Sequence, residues 1–242
     1  IKQWLVEYGS AGKALSAYRL ARDPSGNIYV GGGSAQSIGT LVSAPYVSKF
    51  SQTGAQIWGL QFIAGEDVTT ILTLKAEDVI STAVLAIQHS GFLYWAQKIN
   101  AQGVVLASLP LAASNVYSAT LDDAGNIYLC GGGGSTIGVF DGYVAKFSNL
   151  GMQQWTQPVG LPSALMGGIM VSVDKSSNVI VAGYQQLLGT TFDYYVTKFS
   201  YTGISSWYQH INANAFASAM ATDSAGNIFV GGQTASPLDG NI

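Results

Sequence analysis

The chain of 242 residues contains a single cysteine, Cys130, so an internal disulfide and a thiolate metal cluster are both excluded. Stability must come from packing and strand pairing. Charge is equally scarce. The 10 basic and 13 acidic residues amount to 10% of the chain and leave a net charge of −3. No basic block of the kind that neutralises phosphate backbones is present, so no nucleic acid partner is expected. No apolar run reaches the roughly 18 residues that a membrane helix needs. The stretch Val79 to Ile87 is broken by Ser81 and Thr82 and ends at Gln88, and no membrane span is expected. No Asn-x-Ser/Thr acceptor occurs, and the chain begins neither with Met nor with a charged-then-apolar leader, so Ile1 reads as a processed, trimmed or partial start. His89 and His210 are the only histidines, with no Ser or Cys nearby in a nucleophile context, and they assemble neither a triad nor a multi-histidine metal site. The glycine runs Gly31 to Gly33 and Gly131 to Gly134 lack the following helix and the Lys-Ser/Thr of a phosphate loop, so no nucleotide and no other cofactor is expected.

What the chain does have is 48% apolar residues, 30 glycines and a repeat. The stretch Asp23-Pro-Ser-Gly-Asn-Ile-Tyr-Val-Gly-Gly32 returns as Asp122-Asp-Ala-Gly-Asn-Ile-Tyr-Leu-Cys-Gly131, Asp174-Lys-Ser-Ser-Asn-Val-Ile-Val-Ala-Gly183 and Asp223-Ser-Ala-Gly-Asn-Ile-Phe-Val-Gly-Gly232. A degenerate copy falls at Leu74 to Ala83, with Asp78 at the Asn position. A second marker runs in phase: Tyr46-Val-Ser-Lys-Phe50, Trp95-Ala-Gln-Lys-Ile99, Tyr143-Val-Ala-Lys-Phe147 and Tyr195-Val-Thr-Lys-Phe199. A third is Gly followed four residues later by Trp, at Gly54 and Trp58, Gly151 and Trp155, and Gly203 and Trp207. All three agree on a period of about 50 residues, the range of propeller repeats.

Each period parses into four short strands. The first hairpin closes at Asp-x-x-Gly-Asn, where Gly supplies a positive φ and Asp accepts hydrogen bonds from the turn. The Asn-Ile-Tyr-Val strand, a loop of varied length, the Tyr-Val-x-Lys-Phe strand, a Ser/Asn-x-x-Gly turn and a Trp-bearing strand follow. Such units cannot bury both faces alone and pack face to face. The expected fold is therefore all-β: a β-propeller of five four-stranded antiparallel blades, the fifth combining N- and C-terminal strands and lacking its third strand. As one propeller domain over 1–242, its blades span about 13–62, 67–111, 115–159, 167–211, and 214–242 plus 1–9.

In these motifs the chain resembles the SBBP-type β-propeller repeat of bacterial surface and secreted proteins, with weaker similarity to NHL repeats. The resemblance implies an extracytoplasmic interaction module, at the bacterial surface or outside the cell, and carries no catalytic residues with it. The second unit departs from the pattern at Leu74 to Asp78 and has no Trp after Gly103.

Trp4, preceded by Ile1-Lys-Gln, fits the fourth strand of the fifth blade, whereas the next Lys-bearing strand would fall just beyond Ile242. Three readings of that gap stand open: the segment exists outside this sequence, another chain donates it, or the 242 residues are a window on a longer protein with more blades.

In a propeller, the loops joining strands two to three and four to one share the usual ligand face. There Asp141, Asp193 and Asp239 occupy one position just before strand three, two of them preceded by Phe140 and Phe192, with Gln185 across the loop. They read either as polar and aromatic groups for a glycan or a cation, or as Asp residues capping their own turns. No metal site is expected, since no acidic run of the calcium-loop kind is present. Lys49, Lys98, Lys146 and Lys198 are expected to run their stems along the wall between blades and to set their ammonium groups near a carboxylate or carbonyl. Trp4, Trp58, Trp155 and Trp207 read as inter-blade packing. The expected function is a non-enzymatic module that binds a protein or a glycan through loops on a rigid scaffold. Two alternatives stand beside it: a structural subunit of an extracellular filament or surface assembly, in which the incomplete blade accepts a neighbour's strand or the chain forms a homo-oligomer, and a propeller hydrolase or lyase. The innermost strands offer little for the last, being mainly Ala, Ser, Thr, Val and Met, as in Ala215 to Ala221.

Overall fold

The computed structural model describes residues 14–35, 43–62, 67–73, 84–90, 93–111, 115–136, 139–159, 165–186, 192–211, 215–223 and 225–234. Every regular element among them is a β-strand, and no helix long and apolar enough to cross a membrane occurs there. The chain divides into two compact units, Ile1–Ala113 and Ser114–Ile242.

The first unit holds two four-stranded antiparallel sheets. One is ordered β1 (Ala14–Arg22), β2 (Ile28–Ala35), β3 (Ser43–Phe50), β4 (Gln56–Gln61); the other β5 (Asp67–Thr73), β6 (Val84–Ser90), β7 (Leu93–Ile99), β8 (Val105–Leu111). The second unit holds two more such sheets. These are β9 (Val116–Leu121), β10 (Ile127–Thr136), β11 (Val139–Phe147), β12 (Gln153–Pro158), and β13 (Leu165–Val173), β14 (Val179–Gln186), β15 (Phe192–Phe199), β16 (Ser205–Ile211). A two-stranded sheet, β17 (Ala215–Thr222) with β18 (Ile228–Thr234), completes it. Each sheet meanders in chain order, the blade pattern of a propeller. The expected blade-two copy at 74–83 and the expected contribution of residues 1–9 to the fifth blade lie outside the described residues.

The turns follow from local chemistry. Asp122 Oδ1 accepts from the amides of Ala124 and Asn126 at 3.0 and 2.9 Å, while its Oδ2 accepts from Asn126 Nδ2 at 2.9 Å and from the Tyr128 hydroxyl at 3.0 Å. Asp23, Asp174 and Asp223 repeat the grip on Asn27, Asn178 and Asn227. The fourth turn residue has positive φ, at Gly26, Gly125 and Gly226, and in the blade of β13–β16 this burden falls on Ser177, with φ 59°. The second hairpin is capped by a different side chain. Ser51, Asn100, Ser148 and Ser200 each accept from an amide four residues on. Thus the Asn100 to Gly103 turn of the second blade forms in the same way as those followed by Trp.

Facing sheets bury their apolar sides in one core per seam. Tyr29 and Val47 pack with Ile71, Val84, Ala86 and Ile99 between the first two blades. Tyr128, Cys130 and Val144 meet Val171, Val179, Val181, Tyr195 and Phe199 between the blades of β9–β12 and β13–β16. Ile180, Ala182 and Val196 meet Met220, Ile228 and Val230 at the last seam. Fully burying side chains of this size is worth about 1.5–3 kcal/mol each, so these seams supply the main drive to order the sheets.

Candidate functional site

Each four-stranded blade carries a bulge immediately after its repeated lysine, at Lys49/Phe50, Lys98/Ile99, Lys146/Phe147 and Lys198/Phe199. The extra residue shifts the register by one and sets the lysine directly opposite the Trp position: Lys49 to Trp58, Lys98 to Ala107, Lys146 to Trp155, Lys198 to Trp207.

Two side chains can then reach one target. Trp58 Nε1 donates to the carbonyl of Ala101 at 2.9 Å, and Lys49 Nζ donates to the same carbonyl at 3.4 Å. Trp155 Nε1 and Lys146 Nζ donate to the carbonyl of Tyr201 at 3.1 and 3.4 Å. In both cases the acceptor is the second residue of the next blade's Ser/Asn-x-x-Gly turn. The glycine of that turn lies under the indole: a Cβ at Gly103 would stand 2.8 Å from Trp58, and one at Gly203 2.9 Å from Trp155. Tyr29 and Tyr128 meet these indoles edge-on at 5.8 and 6.2 Å, and the lysines lie over the same rings at 5.1 and 5.3 Å. Lys49 also lies 3.6 Å from Asp23, and Lys198 lies 3.0 Å from Asp174. Burial raises the carboxyl pKa of Asp23 and Asp174, but hydrogen bonds from Asn27 and Asn178 and the lysines outweigh it and hold both below the ordinary carboxylate value. Lys49, Trp58, Lys146 and Trp155 thus link neighbouring blades, whereas Lys198 pairs within its own. Lys98 is buried, and no Trp faces it.

A different cluster stands out in the blade of β13–β16. Gln185 and Asp193 are register partners on β14 and β15, and they are 1% and 6% exposed. Among the described residues the Asp193 carboxylate caps no turn. Its Oδ2 lies 3.0 Å from His210 Nε2, while its Oδ1 has no hydrogen-bond partner. The Tyr208 hydroxyl donates to Gln185 Oε1 at 2.6 Å, which leaves Gln185 Nε2 unpartnered. Tyr208 stacks on buried Tyr195 at 5.7 Å. Burial, reinforced by the Asp193 carboxylate and opposed by the Gln185 hydrogen bond, pushes Tyr208 up to about 12, so it remains a neutral donor. The His210 side chain is 31% exposed and forms the solvent side of the cluster. The register partners Asp193 and Gln185 therefore keep one buried acceptor and one buried donor without a partner, a costly arrangement unless something else fills it.

Sequence reasoning picked Gln185 and Asp193 but missed His210 and Tyr208, which reach the pair from β16. Asp141 takes the equivalent place to Asp193, opposite Gly133 on β10. Phe140 and Phe192 lie on β11 and β15, but the side chains of Phe140, Asp141 and Phe192 are outside the described residues, as are Asp239 and Trp4. Cys130 is fully buried, which pushes its thiol pKa well up and leaves it inert. Among the described residues no group of three or more His, Cys, Asp or Glu is placed to hold a metal ion.

Comparison with known proteins bears on fold and family. The chain is similar in structure to a protein titled "Structure of Dos1 propeller", with a TM-score of 0.51, 10% identity, and coverage of 88% of this chain and 65% of that one. It is similar to a protein of unknown function from Bacteroides caccae, with a TM-score of 0.49, 13% identity, and coverage of 84% and 64%. A third likeness is to an endo-arabinase from Bacteroides thetaiotaomicron VPI-5482, with a TM-score of 0.46, 10% identity, and coverage of 91% and 89%. The chain thus spans less than two thirds of the first two. No curated protein matches the sequence. The model of the SBBP β-propeller repeat matches residues 3–35 and 198–239. With its meandering four-stranded sheets and in-phase motifs, the chain has the β-propeller fold, and its two matched stretches are similar to the SBBP repeat.

Proposed function

We propose that this protein is a non-enzymatic binding module of the bacterial cell surface, and that it takes a glycan at the Gln185, Asp193 and His210 cluster. The observation that carries the reading is that the register partners Asp193 and Gln185 each keep a buried, unpartnered atom, Oδ1 and Nε2. A vicinal diol matches it, because one hydroxyl donates to the carboxylate while the neighbouring hydroxyl oxygen accepts from the amide. His210, held by Asp193 and open to solvent, adds a third polar contact at the rim. The cluster lies at the end of β14 and start of β15, beside the loop that joins them, where propellers commonly place ligands. Nothing in it supplies a nucleophile: Tyr208 remains a neutral phenol, and Cys130 is buried.

A glycan array followed by calorimetry tests the reading. Binding of at least one polyol-rich glycan is expected, with Asp193→Asn and Gln185→Leu each weakening it tenfold or more, about 1.4 kcal/mol by the affinity relation. An array without signal, or binding indifferent to both substitutions in folded protein, would discard it.

A further inference from the structure

The Asp193 carboxylate is sealed more tightly than those of Asp23 and Asp174, yet fewer groups hold it. Its side chain is 8% exposed, against 13% for each of the other two. Asp174 Oδ1 accepts from the amides of Ser176 and Asn178, its Oδ2 accepts from Asn178 Nδ2, and Lys198 lies 3.0 Å away. Asp23 accepts from both nitrogens of Asn27 and lies 3.6 Å from Lys49. For Asp193 the described residues supply one hydrogen-bond partner, His210 Nε2 at 3.0 Å, and no lysine or arginine. An imidazole offsets the negative charge only while it is protonated, whereas a lysine keeps its charge throughout neutral pH. A carboxylate taken out of water without a lasting cation is costly to keep.

The fold does not itself require this cluster. The register pair corresponding to Gln185 and Asp193 is Ser34 with Ala44 in the first blade, Ser90 with Leu93 in the second and Gly133 with Asp141 in the third. The place of His210 is taken by Gln61, Pro110 and Pro158. A sheet of the same register thus forms without these side chains, and at this position only the blade of β13–β16 sets a carboxamide opposite a carboxylate. Asp193 Oδ1 and Gln185 Nε2 are left over from the folding of that blade.

Resting on the glycan reading, we infer that the ligand is cationic: a 2-amino-2-deoxy sugar whose ammonium donates to Asp193 Oδ1 and whose adjoining hydroxyl oxygen accepts from Gln185 Nε2. The amine and its neighbouring hydroxyl keep the spacing of a vicinal diol, so both leftover atoms are still met. The ammonium adds what a neutral sugar lacks, a charge to set against the carboxylate, and its hydrogen bond is about twice as strong as a neutral one. The rings of Tyr195 and Tyr208, stacked beside the pair, also favour a cation over an anion. N-acetylation of the amine removes the charge and adds bulk. A uronic acid brings a second negative charge to a carboxylate that has no lysine or arginine of its own among the described residues. The site therefore discriminates against both.

The test is calorimetry with matched sugars, the 2-amino, 2-hydroxy and 2-acetamido forms of methyl glucoside and methyl galactoside, with the amine protonated, beside a glycan array that includes free 2-amino sugars. The 2-amino form of at least one pair is expected to bind tenfold or more tightly than its two counterparts, and the array signal is expected to fall on glycans with free amines. Asp193→Asn keeps the shape and removes the charge, so the preference for the amine is expected to vanish while circular dichroism stays unchanged. Gln185→Leu is expected to weaken the 2-amino and 2-hydroxy forms by the same factor and to leave the preference in place. Equal affinity for the 2-amino and 2-hydroxy forms overturns the inference, as does an array that returns only neutral, acetylated or acidic glycans. A preference for the amine that survives in folded Asp193→Asn overturns it too. Each of these results leaves the glycan reading standing, whereas an array with no signal at all removes that reading and this inference with it.

Discussion

Replacing Gly203 with alanine is the sharpest probe of how the blades are joined. Gly203 has φ +85°, and a Cβ there would stand 2.9 Å from Trp155 Cδ2 and 3.1 Å from Cγ, the root of the indole rather than its tip. The ring cannot move aside without giving up its bond to the Tyr201 carbonyl and its edge contact with Tyr128. The left-handed conformation alone costs a non-glycine residue about 1–2 kcal/mol. Losing the hydrogen bond adds about 0.5–1.5 kcal/mol, and losing the aromatic contact a similar amount. The expected total is about 2–5 kcal/mol. Gly226 provides the control within the same unit: its φ is also +85°, but nothing lies within 4 Å of the Cβ it would gain. Gly226→Ala should therefore cost about 1–2 kcal/mol, the backbone part alone. Urea unfolding followed by far-ultraviolet circular dichroism measures both. In a Trp155→Ala background the penalty of Gly203→Ala should shrink to that of Gly226→Ala. Equal penalties in the wild type, or a Gly203 penalty that survives removal of the indole, would refute the reasoning.

Two further outcomes follow from the turns and their carboxylates. Ser177→Gly should stabilise the protein by about 0.5–1 kcal/mol, since relief of a left-handed serine outweighs the added entropy of an unfolded glycine; a lower urea midpoint would count against it. Asp23 and Asp174 have depressed carboxyl pKa values in the fold, so their stabilisation is fully present above the unfolded value of about 3.9 and is lost as pH falls through the lower folded values. The melting temperature should accordingly drop below about pH 4, less steeply in Asp174→Asn, and an identical profile in that variant would contradict the assignment.

The repeat was open to reading because its signals are local. A positive φ demands glycine, a turn amide four residues on rewards Asp, Asn or Ser, and both requirements fall within five residues of chain. Ser177 shows the limit, as the turn forms without its glycine because Asp174 still caps it. The in-phase Lys and Trp were equally visible, but their meeting at one carbonyl was not, because that carbonyl belongs to the next repeat. The Asp193 to His210 contact was hidden for a different reason. The bulge at Lys198/Phe199 shifts the pairing of β16 by one, and in a sheet a shift of one exchanges the two faces. Simple alternation carried across the turn from β15 therefore assigns His210 to the wrong side. Gln185 and Asp193 were reached from loop position alone, which says where they stand but not that their polar atoms go unanswered.

The way Trp58 and Trp155 reach forward, never back, has a genetic consequence. A lesion in a second-turn glycine leaves its own sheet intact and loosens the preceding one, so the phenotype surfaces about one period upstream of the changed codon. Suppressors of such a lesion should then cluster around the tryptophan of that earlier repeat rather than beside the original change.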